Sequence, residues 1–275
     1  MTVVLATLAG VLGLAIGSFL NVVAYRVPAG MSIAHPASAC PECGHAIRRR
    51  DNVPLVSWVM LRGRCRDCRT PISARYPALE ALTAVAFLAV ALLFSAPVSA
   101  AASTPAAVAA VLTLLAFCYL AAISIVLSAI DLDVHRLPNV IVLPSYLVAA
   151  ALLVPAALLV GTPEVLLPAG VGMVASLLFY GMLWLIAPGG MGFGDVKLAG
   201  LIGLYLGYLG WAQLAVGIGA AFVLGGLFGV ALIIGRRAGR KSKVPFGPWM
   251  FAGAWIGIVA GAQIAHGYLA LFGLG

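Results

Sequence analysis

Long apolar stretches separated by short polar segments make up most of this chain. A helix needs roughly 20 apolar residues to cross a membrane, and six stretches have about that length: residues 3–24, 77–94, 106–130, 140–160, 166–187 and 246–265. A seventh run, 198–235, has 38 residues. It is long enough for two helices with a turn near residues 207–210. The pattern predicts an all-α polytopic membrane protein with about eight transmembrane helices.

Composition and charge agree with a membrane protein. Hydrophobic residues make up 63% of the 275 and charged residues only 9%, whereas soluble domains are about 45–50% apolar. Nine of the 16 Lys and Arg residues lie between positions 26 and 75, and five more between 236 and 243. Basic clusters beside apolar spans indicate the cytoplasmic side, so we predict no nucleic-acid partner. The first stretch has no basic segment before it, which predicts a retained span rather than a signal peptide.

The one sizeable polar segment, residues 27–76, contains two Cys-x-x-Cys pairs separated by 21 residues: Cys40, Cys43, Cys65 and Cys68. This spacing is typical of a four-thiolate structural zinc site. Two disulfides are the alternative, which a cytoplasmic location disfavours. We predict a first helix at 1–26, a zinc-binding module at 27–76 and a transmembrane core at 77–275. Cys118, alone in an apolar stretch, is predicted to pack there.

Three of the five aspartates lie at predicted cytoplasmic ends of spans: Asp131, Asp133 and Asp195. Asp195 follows a glycine-rich break that contains Gly189, Gly190, Gly192 and Gly194. Ionisable residues at membrane depth are costly and suggest function. Two carboxylates sharing a proton can activate water for peptide hydrolysis, but aspartates beside broken helices also suit an ion path. The residues alone leave a peptidase and a proton- or ion-coupled transporter equally open, with a non-enzymatic scaffold as a further alternative.

Several motifs, in order along the chain, carry a resemblance to a known family. They are Gly-Ser-Phe-Leu-Asn-Val-Val at 17–23, Tyr-Arg-Val-Pro at 25–28, Asn-Val-Pro-Leu at 52–55 and Arg-Tyr-Pro at 75–77 around the cysteine pairs, Asp-Leu-Asp at 131–133 with Leu-Pro-Asn at 137–139, Gly-Phe-Gly-Asp-Val-Lys-Leu at 192–198, and Pro-Phe-Gly-Pro at 245–248. Together they resemble the type IV prepilin peptidases, GxGD membrane aspartyl proteases that also act as N-methyltransferases. Asn139 is a departure, since many members have aspartate there.

The resemblance implies catalysis by Asp131 and Asp195. Asp133 is the competing candidate, but the family's aspartate lies seven residues before the proline, as Asp131 does before Pro138. The remaining supporting candidates are Gly192, Gly194, His135 and Lys197. The implied substrates are prepilin-like precursors, cut at the cytoplasmic face of the bacterial inner membrane, and the implied methyl donor is S-adenosylmethionine. No glycine-rich nucleotide-binding segment is evident, so no residues are assigned to that cofactor.

Overall fold

A computed structural model describes residues 2–186, 191–235 and 245–273. Its helices are α1 Thr2–Arg26, α2 Val56–Met60, α3 Arg75–Ser99, α4 Thr104–Val134, α5 Asn139–Leu159, α6 Leu166–Ile186, α7 Phe193–Leu209, α8 Trp211–Ile234 and α9 Gly247–Leu271. Two short 3-10 helices, Arg49–Asp51 and Pro163–Val165, complete the regular structure of these residues, which include no strand. The all-α class predicted from the apolar pattern is confirmed.

Eight long helices occupy the predicted stretches. Seven of them are long and apolar enough to cross a membrane. The other one, α7, has 17 residues and is slightly shorter than a typical span, so its predicted crossing of the membrane stays a prediction. The predicted turn within the long apolar run is present at Gly210, whose φ of 135° ends α7 one residue before α8 begins.

The chain divides into two compact units, Met1–Ala129 and Ile130–Gly275. In the first unit, α1 and α3 pack tightly against each other because α1 presents glycines at the contact. A Cβ atom added to Gly17 would lie only 2.7 Å from the Cα atom of Glu80. Small residues allow such close approach of helix backbones in membranes. This packing places the end of α1 beside the start of α3, and the cysteine segment connects those two ends.

The second unit is built around α7, which packs against α5, α6, α8 and α9. Four of its large side chains are fully buried: Leu198, Leu201, Tyr205 and Leu206. Glycines again bring the backbones together, since a Cβ atom added to Gly172 of α6 would lie 2.6 Å from the carbonyl oxygen of Gly203. The short helix that carries Asp195 in its first turn is therefore held on several sides.

We expect Gly203→Ala to lower the melting temperature. The new methyl group would meet the backbone of Gly172 and lie 2.5 Å from the Ser176 Oγ atom, and overpacking of this kind costs about 1–3 kcal/mol. The matched control is Gly219→Ala in α8, where the methyl group meets no atom within 4 Å. Thermal unfolding of both variants in the same detergent measures the difference. Equal melting temperatures would contradict the close packing of α6 and α7.

Candidate active site and candidate metal centre

Asp131 lies in the last turn of α4, and its side chain is only 5% exposed. Its Oδ2 atom accepts a hydrogen bond of 2.9 Å from the backbone N–H of Gly247, the first residue of α9. The helix ends just beyond it, where His135 adopts a left-handed backbone with φ 53° and donates its N–H to the Asp131 carbonyl oxygen. The buried carboxylate is thus hydrogen-bonded to a helix that begins 116 residues later.

Asp195 lies in the first turn of α7 and is 7% exposed. Its Oδ2 atom accepts a hydrogen bond of 2.9 Å from the N–H of Gly192, and its own N–H donates to the Gly192 carbonyl oxygen. A carboxylate at this position satisfies a backbone donor that a helix start leaves without an intrahelical partner. Local capping therefore explains why the side chain points back toward the glycine segment, at the end of the helix that carries it.

The two carboxylates share one buried environment. The side chain of Leu137 links them, because a Cβ atom added to Gly194 would lie 3.0 Å from its Cβ and one added to Gly247 would lie 3.4 Å from its Cδ2. The two acids are also close enough for the negative charge of Asp131 to act on Asp195. The fold therefore brings together acids that lie 64 residues apart in the chain. Paired carboxylates of this kind can share a proton and activate a water molecule.

The remaining residues of the first aspartate motif have a different environment. Asp133 and His135 are exposed, in contrast to Asp131. Residues two positions apart on a helix point in directions that differ by about 200°, so α4 directs one acid inward and the other outward. Both acids are candidates from the sequence, and of the two only Asp131 is buried.

Lys197, one turn of α7 beyond the glycine segment, has two partners. Its Nζ atom donates a hydrogen bond of 2.6 Å to Asn139 Oδ1 and lies 4.9 Å from the centre of the Phe193 ring. Asn139 is the first residue of α5. Lys197 therefore connects the start of α5 to the start of α7. Its partner Asn139 is the residue at which many members of the resembled family have aspartate.

Sequence reasoning missed the roles of Gly247 and Leu137. A Cβ atom added to Gly247 would lie 2.9 Å from Asp131 Oδ2, so the absence of a side chain allows the carboxylate to reach the backbone donor. A glycine directly before a proline at the start of a span was the available signal. Gly189 and Gly190, which belong to the predicted break, and the basic cluster at 236–243 lie outside the described residues.

The four cysteines of the polar segment form the second site. All their sulfur atoms lie within 4.8 Å of one another, and the sulfurs of Cys40 and Cys68 are 3.8 Å apart. Sulfurs about 2.3 Å from a tetrahedral zinc ion would be about 3.8 Å from one another. The cluster can therefore hold a metal ion, as the spacing of the two pairs predicted.

Each cysteine pair lies on a turn of the same design. In the first turn, Gly44 donates its N–H to the carbonyl oxygen of Cys40, and Cys40 donates to His45. The corresponding bonds of the second turn run from Arg69 to Cys65 and from Cys65 to Thr70. Gly44 and Arg69 both adopt a left-handed backbone, with φ of 71° and 63°. The repeated geometry presents two sulfurs from each turn to one centre.

Backbone donors also favour the metal-binding form of a cysteine. The N–H groups of Cys68 and Asp67 point at the sulfur of Cys65 and lower its pKa to about 7. The thiolate is the form of cysteine that binds metals. This turn therefore stabilises the negative charge that a metal ion would meet.

Hydrogen bonds made by side chains stabilise the cysteine segment internally and connect it to α1 and α3. Arg66 forms two hydrogen bonds with Asp51, one of them 2.7 Å long from its Nε atom, and this guanidinium lowers the pKa of Asp51. The buried carboxylate of Glu80 in α3 accepts a hydrogen bond of 2.8 Å from the N–H of Leu55. Buried Arg26, at the end of α1, donates to the carbonyl oxygen of Pro36. The cysteine turns are thereby joined to both flanking helices.

Fold and sites define a class: a polytopic helical membrane protein that combines a buried aspartate pair with a four-cysteine centre. Two family models match the chain, the bacterial peptidase A24 N-terminal domain over residues 11–94 and the type IV leader peptidase family over residues 118–230. The first match contains the cysteines, and the second contains both aspartates. Together with the relatives described next, they show that the chain belongs to the type IV leader peptidase family.

Similar proteins extend over most of the chain. A prepilin leader peptidase/N-methyltransferase of Pseudomonas putida is 35% identical over 97% of this chain and 94% of its own length. Proteins with the same description from Aeromonas hydrophila and Burkholderia pseudomallei (strain 1026b) are 33% and 37% identical, over 94% and 88% of this chain and 92% and 81% of their own lengths. No solved structure matches the chain.

We expect the cysteine cluster to retain about one metal ion per chain through purification. The double variant Cys40→Ser/Cys43→Ser should lose it, because half of the thiolate ligands are removed. Cys118→Ser is the matched control, since Cys118 is buried in α4 outside the cluster. Elemental analysis of the purified proteins measures the metal content. A double variant with the metal content of the wild type would refute the assignment of these ligands.

Proposed function

We propose that this protein is a membrane aspartyl endopeptidase that removes the basic leader of prepilin-like precursors and then methylates the new N-terminal amine. The observation that carries the proposal is the pair of buried carboxylates, Asp131 and Asp195, which lie on different helices and whose glycine neighbours both face Leu137. The names of the relatives, which describe both a leader peptidase and an N-methyltransferase, support the two activities.

In this mechanism the two acids share one proton and hold a water molecule between them. The ionised carboxylate takes a proton from the water as its oxygen attacks the scissile carbonyl carbon, while the protonated acid donates its proton to the carbonyl oxygen. In the second step the C–N bond breaks as the leaving nitrogen takes the proton from one acid, and a hydroxyl group of the tetrahedral intermediate returns its proton to the other acid as the new carboxyl group forms. The pair ends with one proton, as it began. Atoms and charges therefore balance over the reaction.

Asp131 is the proposed partner of Asp195 because it is the buried member of its motif. Asp133 faces outward from the same turn of α4, so it would have to leave the surface to reach the second acid. Each carboxylate has its own backbone donor, Gly192 for Asp195 and Gly247 for Asp131. Gly192 acts here through its backbone N–H, whereas Gly194 provides the space that Leu137 fills.

The positive-inside rule supports a cytoplasmic location for the cysteine module and the aspartate pair. Arg26 ends α1 and Arg75 begins α3, so basic residues flank the module at both membrane-facing ends. The acids lie at the end of α4 and at the start of α7, which face the same side if each intervening helix crosses the membrane. A basic leader would remain in the cytoplasm while the apolar segment that follows it lies in the bilayer. We accordingly propose the bacterial inner membrane as the location.

Zinc is the proposed metal of the cysteine centre, since tetrahedral thiolate sites favour it. Four sulfurs fill the coordination sphere, so the ion would have a structural role and the module would extend over residues 27–76, apart from the transmembrane core at 77–275. For the second activity, S-adenosylmethionine supplies an electrophilic methyl group. The amine freed by proteolysis is the nucleophile that accepts it. The transporter alternative receives no support from the family assignment.

Asp131→Asn and Asp195→Asn should each lower the cleavage rate by about 1,000-fold or more. Each substitution removes one carboxylate but keeps the shape of the side chain, so the pair can no longer share a proton. The measurement is the ratio of cut to uncut precursor when a prepilin-like protein is co-expressed with each variant. Asp133→Asn is the matched control and should cleave like the wild type. Normal cleavage by either buried variant would exclude that residue from the chemistry.

Methyl transfer should survive the loss of the carboxylate pair, because it requires no proton shared between the two acids. We expect purified Asp195→Asn protein to add one methyl group to the N-terminal amine of a pre-cleaved pilin peptide when S-adenosylmethionine is present. Mass spectrometry of the peptide detects the product, and a reaction without S-adenosylmethionine is the control. If wild-type protein leaves the peptide unmodified under these conditions, the proposed second activity is wrong.

A further inference from the structure

Tyr180 of α6 buries a hydroxyl group that has no hydrogen-bond partner among the residues the structure describes. The residue is 0% exposed. An unpaired hydroxyl in an apolar setting costs free energy that phenylalanine at the same position would avoid. Packing alone therefore does not explain why this ring carries a hydroxyl. Buried polar groups without a partner often belong to catalytic sites.

Three aromatic rings fix the position of this tyrosine. The centre of its ring lies 5.2 Å from that of Phe222, 5.7 Å from that of Phe179 and 6.3 Å from that of Phe246. These distances are typical of packed aromatic pairs. A ring held by neighbours from α6, from α8 and from the residue before α9 keeps its hydroxyl group in one place.

Tyr180 lies next to the start of α7 and next to the segment that binds Asp131. Gly181, the next residue, faces Val196, the residue after Asp195, since a Cβ atom added to it would lie 3.7 Å from Val196 Cγ1. The carboxylate of Asp195 acts electrostatically on the Tyr180 hydroxyl. The ring also packs against Phe246, whose neighbour Gly247 donates to Asp131.

We propose that Tyr180 is a catalytic hydrogen-bond donor of the peptidase site. Its hydroxyl donates to the oxygen of the attacking water that the two acids hold, and keeps that bond as the oxygen becomes part of the tetrahedral intermediate. This inference rests on the proposed aspartyl peptidase function and adds a third side chain to the site. The tyrosine keeps its proton throughout, so the transfers between the two acids and the substrate are unchanged.

The chemical benefit lies in the fixed orientation of the donor. The water molecule must donate one hydrogen atom to the ionised carboxylate and direct a lone pair at the scissile carbon. If a hydrogen-bond donor occupies the water's other lone pair, the water molecule has only one orientation from which it can attack. Because the rings hold the phenol before substrate arrives, this donor requires little reorganisation during the reaction. In the working enzyme the hydroxyl then makes the hydrogen bond that it lacks among the described residues.

The test is the variant Tyr180→Phe, assayed as purified protein in detergent with a prepilin-like precursor. We expect kcat to fall about 100-fold, with KM within about twofold of the wild-type value. The affinity for a statine-type peptide, whose hydroxyl occupies the place of the attacking water, should fall in proportion to kcat/KM. The melting temperature should stay the same or rise, because the variant removes an unpaired buried hydroxyl.

Tyr205→Phe is the matched control. Tyr205 is also fully buried, but it lies ten residues beyond Asp195 on α7, about 15 Å along the helix. Its kcat should stay within about twofold of the wild-type value. Comparing the two variants shows whether kcat falls when any buried tyrosine loses its hydroxyl or only when Tyr180 does.

The outcomes distinguish this inference from the proposed function. If Tyr180→Phe cleaves at the wild-type rate while Asp195→Asn does not cleave, the donor role is wrong and the dyad stands. A loss of kcat that accompanies a lower melting temperature and unchanged statine affinity would indicate a packing role and would also overturn the inference. If Asp195→Asn itself cleaves normally, the peptidase mechanism fails together with the role of Tyr180.

Discussion

Burying two carboxylates next to each other is the constraint on which the second unit depends. A charged group in an apolar interior is costly unless hydrogen bonds replace its water. In this protein the replacement comes from backbone N–H groups at Gly192 and Gly247, next to the starts of α7 and α9. Both donors are glycines, so no side chain separates the N–H from the carboxylate. The two acids can remain close because each has a separate donor.

The packing of α7 converts this local arrangement into a rigid one. The helix is short, but 11 of its 17 residues are buried, and glycines bring its backbone close to that of α6. Lys197 links its first turns to α5, and Leu137 fills the gap between the glycines of the two motifs. The position of Asp195 is therefore determined by several elements at once, which proton transfer over short distances requires.

Most of the fold was predictable from local signals. Apolar runs of span length identified the long helices within a few residues, as for α5, predicted at 140–160 and found at Asn139–Leu159. The spacing of the cysteines predicted their cluster, because each pair forms its own turn. The sequence did not reveal α2, whose five residues lie within a polar segment. It also missed the roles of Gly247, Leu137 and Tyr180, since the groups that each of them contacts are distant in the chain.

The hydrogen bond between Gly247 and Asp131 has a consequence for how the protein is made. Translation proceeds from the N-terminus, and the donor emerges from the ribosome 116 residues after the acid that needs it. Throughout that interval Asp131 has been inserted with α4 but lacks its backbone partner. The peptidase site is therefore completed only when the last helix arrives. A nascent chain that ends before Gly247 carries both carboxylates but lacks the backbone donor of Asp131.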